Sequence, residues 1–390
     1  MKRFLFIFGA LVIMVAVIGI GYLLRYRSSA PEGIGLPETT APEANLPPDT
    51  TSPTPTTPPT LTPPPGQKLS LASQNPIRDY FLDSQNNLTL IEPDGQIVKI
   101  TKSGSSILSS TAIQNLISAS FSYDGQKILA IFGDRKDPQI SIFDIQTKSW
   151  QSLDLKFESA SWSPTSYKIA YFSLKAGFKF LTITDIGDPK SKPQELLKMG
   201  VEDIIPLWIG PQEILLKEKN SAFWKSSSWL FDIQKNTLTT IIQDQLGLEF
   251  LWDRATGRSL MSVSNLNNKG GRLSLVDKNG NLINRLNFIT FPSKCIFGGA
   301  KISTSTFVLN CAVPRDQQKL SSTVLPDAYQ KKAIFTSDDF YEIDLTNGSV
   351  KIRFSDLTKN FDADNLKVFL GRLYFVNRYD NRLYSISLSN

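Results

Sequence analysis

The 390-residue chain contains no histidine. That absence removes the commonest general base and the commonest zinc and copper ligand. A Ser-His-Asp or Cys-His hydrolase is therefore excluded, and zinc peptidase chemistry loses its usual ligand set. Cysteine is almost as scarce, with Cys295 and Cys311 the only two. No Asp-x-Asp-x-Asp run of the calcium-loop kind occurs. There is also no run of five basic residues, so the concentrated patch that nucleic-acid binding needs is missing. The formal charge of +6 is diffuse: residues 1–27 contribute +4, residues 28–66 contribute −4, and 38 basic against 32 acidic residues supply the rest. Nucleic acid is accordingly not expected as a partner. Weak attraction to an anionic membrane or wall polymer is compatible with that excess.

What is present begins with an uncharged apolar run at residues 4–24. At about 1.5 Å per residue it matches a hydrocarbon core of roughly 30 Å. Arg25 and Arg27 separate it from the small residues Ser28-Ser29-Ala30, a poor arrangement for cleavage. The expected layout is a cytoplasmic tip at 1–3, an uncleaved signal anchor at 4–24 and a Pro/Thr-rich stalk at 25–66. The domain at 67–390 then stands on the extracytoplasmic side of a cell membrane. Residues 28–66 hold 12 of the 23 prolines and nine threonines, which forbids both helix and sheet there. Such a segment favours extended polyproline II and serves as a spacer.

From residue 67 on, short β-type runs alternate with turn residues, without a long amphipathic helix. An apolar strand that ends in an acid before a polar turn recurs at Glu92, Asp144, Asp185, Asp232, Asp277 and Asp344, with Ser387 in place of the acid last. The spacings are 52, 41, 47, 45, 67 and 43 residues, and a four-stranded propeller blade takes about 40–50. The acid is expected to cap turn amides, a structural task. Seven copies favour an all-β, seven-bladed propeller, with a six-bladed ring and a spare hairpin as the alternative. The last copy lies at the end of the sequence, so residues 67–73 are expected to supply the missing outer strand and close the ring. Trp162, Trp208 and Trp252 recur at blade spacing and read as intersheet core.

A second signature precedes the first. Ala119-Ser-Phe-Ser-Tyr-Asp124-Gly125-Gln-Lys-Ile-Leu-Ala130 is matched by Ala160-Ser-Trp-Ser-Pro164-Thr-Ser-Tyr-Lys-Ile-Ala-Tyr171. Over residues 110–260 this resembles the TolB-like (WD-repeat-like) propeller repeat, with its Phe-Ser-Pro-Asp-Gly hairpin followed by Lys and an apolar strand. The resemblance implies the fold and hardly constrains function, because the repeat occurs in binding scaffolds, peptidase-associated domains and sensors.

Two strands folding back about Ser303 would place Cys295 opposite Cys311, a candidate disulfide. The 67-residue interval is about 20 residues too long for one blade, and the excess is placed at 314–333. Long loops of this kind are often functional. Arg315, Tyr329, Lys331 and Lys332 are therefore the candidate binding face, for an anionic or sugar ligand; the alternative is a loop folded over the outside of the ring. Asp338-Asp339 resembles a carboxylate pair but reads as the turn leading into a repeat strand. No catalytic, cofactor or metal motif is recognised. The chain is expected to be non-enzymatic, a binding or scaffolding module for a protein or envelope polymer. The alternatives are a carboxylate-dependent carbohydrate-active hydrolase and an envelope sensor or assembly factor.

Overall fold

The computed structural model describes residues 68–388, apart from 189, 202 and 299–306, together with Gly35. The expected tip, membrane helix and stalk, Gly35 aside, lie outside the described residues, as does the Ser303 turn. Among the described residues no helix is long and apolar enough to cross a membrane.

Seven antiparallel sheets of four strands each make up the domain. Blades one to six occupy residues 79–109, 116–153, 160–199, 204–246, 249–286 and 295–354. The seventh takes three strands from 363–387 and its fourth from Leu69–Leu71. That fourth strand pairs antiparallel with Leu383–Ser387, in the register Leu69↔Ile386, Ser70↔Ser385 and Leu71↔Tyr384. The seven-bladed ring is thus closed by Leu69–Leu71, and the six-bladed alternative falls. First strands of neighbouring blades approach one another, which puts them around the central axis.

The middle strands are apolar on both faces because each blade packs on two neighbours. In blade two, Ile128 and Phe143 face Ile91 and Ile97 of blade one. Leu129, Ile131, Ile140 and Ile142 face Phe157, Trp162, Ile169 and Tyr171 toward blade three. Strands of this kind read as continuous apolar runs, and a one-residue slip would exchange one interblade core for the other. Trp162 and Trp208 are buried in such interfaces, and Trp252 packs on the next.

The recurring acids do cap turns. Asp144 Oδ1 accepts from the amides of Gln146 and Thr147 at 2.9 and 3.1 Å. Asp185 accepts from Gly187, Asp232 from Lys235, Asp277 from Asn279 and Asn281, and Asp344 from Thr346, at 2.8–2.9 Å. Four of these end the third strand of their blade, and Asp277 directly follows it. Glu92 is the exception, because it follows the second strand of blade one. The cap there comes from Asp94, which accepts from Gln96 N. The third strand of that blade ends at Thr101, and the 43 residues from there to Asp144 restore the repeat that the Glu92 reading had stretched.

This up-and-down order gives the ring two different faces. One, called upper here, carries the connections between blades and the loops joining second to third strands. The other carries the remaining hairpins. Asp124-Gly125 lies on the lower face, where Gly125 adopts φ +72° against the ring of Phe81 in blade one. A side chain there would be strained and would also collide with that ring.

Candidate functional site on the upper face

The upper face is divided in two. Residues 315–337, between the second and third strands of blade six, hold two short helices, Gln317–Ser322 and Asp327–Gln330. This insertion runs over the face rather than outside the ring. At blade four, Asp327 accepts from Ser221 Oγ at 3.0 Å and from Ala222 N at 2.6 Å. At blade five, Ser264 Oγ donates to Leu325 O, and Gly270 N donates to Thr323 O at 2.8 Å. Toward blade seven, Arg378 Nη2 donates to Tyr329 O at 2.7 Å. The insertion therefore covers the arc from blade four to blade seven.

Beneath it lies a buried charge cluster. Lys294, fully buried, stands 2.6 Å from Asp338 Oδ2 and 2.6 Å from Asp362 Oδ1, and donates to Ala363 O at 3.0 Å. Asp362 also accepts from Tyr329 OH at 3.1 Å, Thr336 Oγ1 at 3.0 Å and Thr336 N at 3.2 Å. Arg378 Nη1 completes its shell at 2.9 Å. Asp338 is held differently: Oδ2 accepts from Lys294 and Ala363 N, whereas Oδ1 is buried with no partner among the described residues. Burial, only partly opposed by Lys294, raises the Asp338 carboxyl above its ordinary range. Burial also drives the Tyr329 phenol well above its usual value.

The residues expected to form a binding face are not brought together. Tyr329 is buried, stacked on Phe291 at 4.1 Å between centroids, with the Arg378 guanidinium 3.7 Å above its ring. Arg315 turns toward the sheet, pairing with Asp339 at 2.8 Å and donating to Asp356 O at 2.9 Å. Only Lys331 and Lys332 remain exposed, and Lys331 lies 3.7 Å from Asp327. The reason is energetic: a ring and a guanidinium that stack and pair beneath the insertion bury apolar surface that solvent contact would forfeit. Cys295 and Cys311 face each other in register and are joined by a disulfide, with 4.1 Å between Cα atoms. Asp338 and Asp339 open the third strand of blade six, both buried. Sequence reading missed Lys294, Asp362 and Arg378, since single charged residues far apart in the chain carry no pattern.

The other half of the upper face is open. A cleft of about 1050 Å³ lies over blades two to four. Its floor includes Ile131, Phe157, Tyr171 and Ile204. Its rim is a set of charge pairs: Lys156–Asp137 at 2.6 Å, Lys175–Glu195 at 2.7 Å, and Lys219 with Asp203 at 2.8 Å and Glu158 at 3.2 Å. The hydrogen bond from Lys219 holds the Asp203 carboxyl below its usual range. Leu174 stands at the edge, 72% exposed, so the cleft offers apolar contact as well as charge. Among the described residues no group of three or more Cys, Asp or Glu is placed to hold a metal ion.

No family model matches this sequence, and no curated protein matches it. Solved structures do match in fold. One of two prolyl endopeptidases superposes with a TM-score of 0.54 at 12% identity, over 81% of this chain and 48% of that one. This chain therefore spans about half the length of that enzyme. An oligogalacturonate lyase in complex with manganese gives 0.56 at 10% identity, over 85% and 93% of the two chains. TolB from Acinetobacter baumannii also matches, with 12% identity, 60% of each chain and a TM-score of 0.38, a value on which nothing rests. The expectation that the chain is not an enzyme is corrected by these matches: the propeller it adopts is shared with a lyase and with an endopeptidase. A missing histidine rules out histidine-dependent chemistry and nothing wider. What the matches establish for this chain is the propeller fold.

Proposed function

We propose that this chain is an extracytoplasmic propeller, anchored by residues 4–24 and spaced from the membrane by residues 25–66, that holds a protein segment or envelope polymer in the upper-face cleft of blades two to four. The observation that carries the reading is the division of that face. The insertion covers blades four to seven and leaves the depression over blades two to four uncovered, with an aromatic and aliphatic floor and charges of both signs on its rim. Large concave sites with apolar floors and a few placed polar groups are where ligands bind. Mixed charges that already pair with one another suit an extended chain, which can exchange one ion pair for another along its length. The test is proximity labelling from the full-length protein in its native cell, comparing the wild type with Leu174→Asp and Lys156→Glu. Loss of the same labelled species in both variants supports the cleft. Unchanged labelling would place the contact elsewhere.

A second reading rests on Glu158 and Asp203. Both bond to one Lys219 ammonium. They are thus no farther apart than the separation of roughly 5–9.5 Å at which paired carboxylates cleave glycosides. Release of reducing ends from a polysaccharide panel, abolished by Asp203→Asn, is the result that would favour it.

A further inference from the structure

The geometry points to a covalent modification inside blade six: an amide bond between Lys294 Nζ and Cγ of Asp338, formed by the protein itself with Asp362 carrying the proton. An amine and a carboxyl do not condense in water at useful rates. Here they are held 2.6 Å apart, both fully out of solvent, with the Tyr329 ring centroid 5.1 Å from the Lys294 nitrogen and Ala363 O accepting from it at 3.0 Å. Fixing two reactants in contact supplies most of what such a reaction lacks, namely orientation and the exclusion of water.

The two carboxyls around Lys294 are not equivalent, and their surroundings divide the labour. Asp362 accepts from Tyr329, Thr336 and Arg378 as well as from Lys294, so both of its oxygens are partnered. A carboxyl so held in contact with the ammonium is placed to carry a proton and is shielded from attack. Asp338 has one oxygen without a partner, and burial raises its carboxyl toward the neutral form. A neutral carboxyl is the better acceptor of a nucleophile, and Ala363 N, 2.8 Å from Oδ2, is placed to stabilise charge that develops on that oxygen. The step balances without any co-reactant. Asp362 takes a proton from the Lys294 ammonium, and the free amine attacks Cγ of the neutral Asp338 carboxyl. The C–N bond forms, Asp362 returns its proton to the Asp338 hydroxyl, the C–O bond breaks and that oxygen leaves as water, and Asp362 takes the second proton from the nitrogen. In sum, an ammonium, a neutral carboxyl and the Asp362 carboxylate become an amide, one water and a protonated Asp362.

The bond would sit next to the Cys295–Cys311 disulfide. One staple joins the first strand to the second, the other joins the residue before the first strand to the start of the third. The insertion would then lie inside a covalently closed loop.

Mass spectrometry of the full-length chain, purified in detergent and kept reduced, tests this. The wild type should be lighter than its sequence by one water, and a protease digest should yield one branched peptide carrying Lys294 joined to Asp338. Lys294→Arg should restore the full mass. Asp362→Asn should slow joining by about a hundredfold or more, the usual weight of a positioned proton carrier. Asp338→Asn should still join, now by losing ammonia, so its deficit changes from one water to one ammonia. A folded wild type at full mass overturns the proposal, whatever the variants do. So does a water deficit confined to the Asp338 peptide, which marks a cyclic imide, and so does a branch to Asp362.

Discussion

Replacing Asp327 by Asn should loosen the insertion without unfolding the ring. Asp327 is 7% exposed and accepts from two groups of blade four, Ser221 Oγ and Ala222 N. Asparagine keeps the shape but offers one accepting oxygen and turns an NH₂ toward the other donor. A hydrogen bond to a charged group contributes about 1.5–3 kcal/mol, and an orphaned buried donor costs a similar amount. Some relaxation at Ser221 is expected, so about 2–3 kcal/mol in all is a fair sum. That corresponds to roughly 30- to 150-fold in the equilibrium for local opening. The readout is amide hydrogen exchange at residues 320–334, where the amides of Ala328, Gln330, Lys331 and Ala333 are bonded within the insertion. Protection there should fall by that factor while blades one to three keep theirs. Unchanged exchange would mean that Asp327 does not latch the insertion. An equal loss across all blades would mean that the insertion and ring open as one unit.

Two further outcomes concern the ring itself. Burial pushes the Asp124 carboxyl up, but hydrogen bonds from Tyr167 OH at 2.6 Å, Gln126 N and Ser122 Oγ outweigh it and hold the group below its usual range. A depressed folded-state value stabilises above the unfolded value of about 3.9 and is lost as pH falls through the folded one. The melting temperature of Asp124→Asn should therefore lie below the wild type at neutral pH and converge on it below about pH 4; parallel curves would remove Asp124 from the acid response. Deleting residues 68–72 from the full chain strips Leu383–Ser387 of its outer partner and takes Leu69 from the blade-seven core. Size-exclusion chromatography should then show association through the open edge, and a monomer that melts unchanged would show the clasp to be dispensable.

The framework of the ring was legible because it is written locally and repeatedly. Asp144, Asp185, Asp232, Asp277 and Asp344 each cap a turn within three or four residues, and such contacts leave a periodic trace. Glu92 shows the limit of that trace: Glu-Pro-Asp-Gly looks like its counterparts but follows a different strand, and only pairing reveals the shift. The upper face was legible in outline alone. The oversized interval at blade six located the insertion, yet which side chains point outward depends on what lies beneath. Tyr329 and Arg315 look available in sequence and are consumed by Phe291, Arg378, Asp339 and Asp356. Lys294 and Asp362 are 68 residues apart, and neither stands out among its neighbours. The cleft draws on loops of three blades, so no single stretch announces it.

The closing strand has a kinetic consequence. Leu69 and Ile386 are neighbours in the finished ring but stand near opposite ends of the folded chain. Six blades can form as the chain emerges, each from a contiguous stretch. The seventh cannot be completed until Leu383–Ser387 has been made and delivered to the same compartment as Leu69. Until then the ring is an open arc whose closure carries nearly the largest loop entropy this chain can incur. Ring closure is thus expected to be the last event in folding, and the step at which an unfinished or stalled chain is most open to capture by another copy of itself.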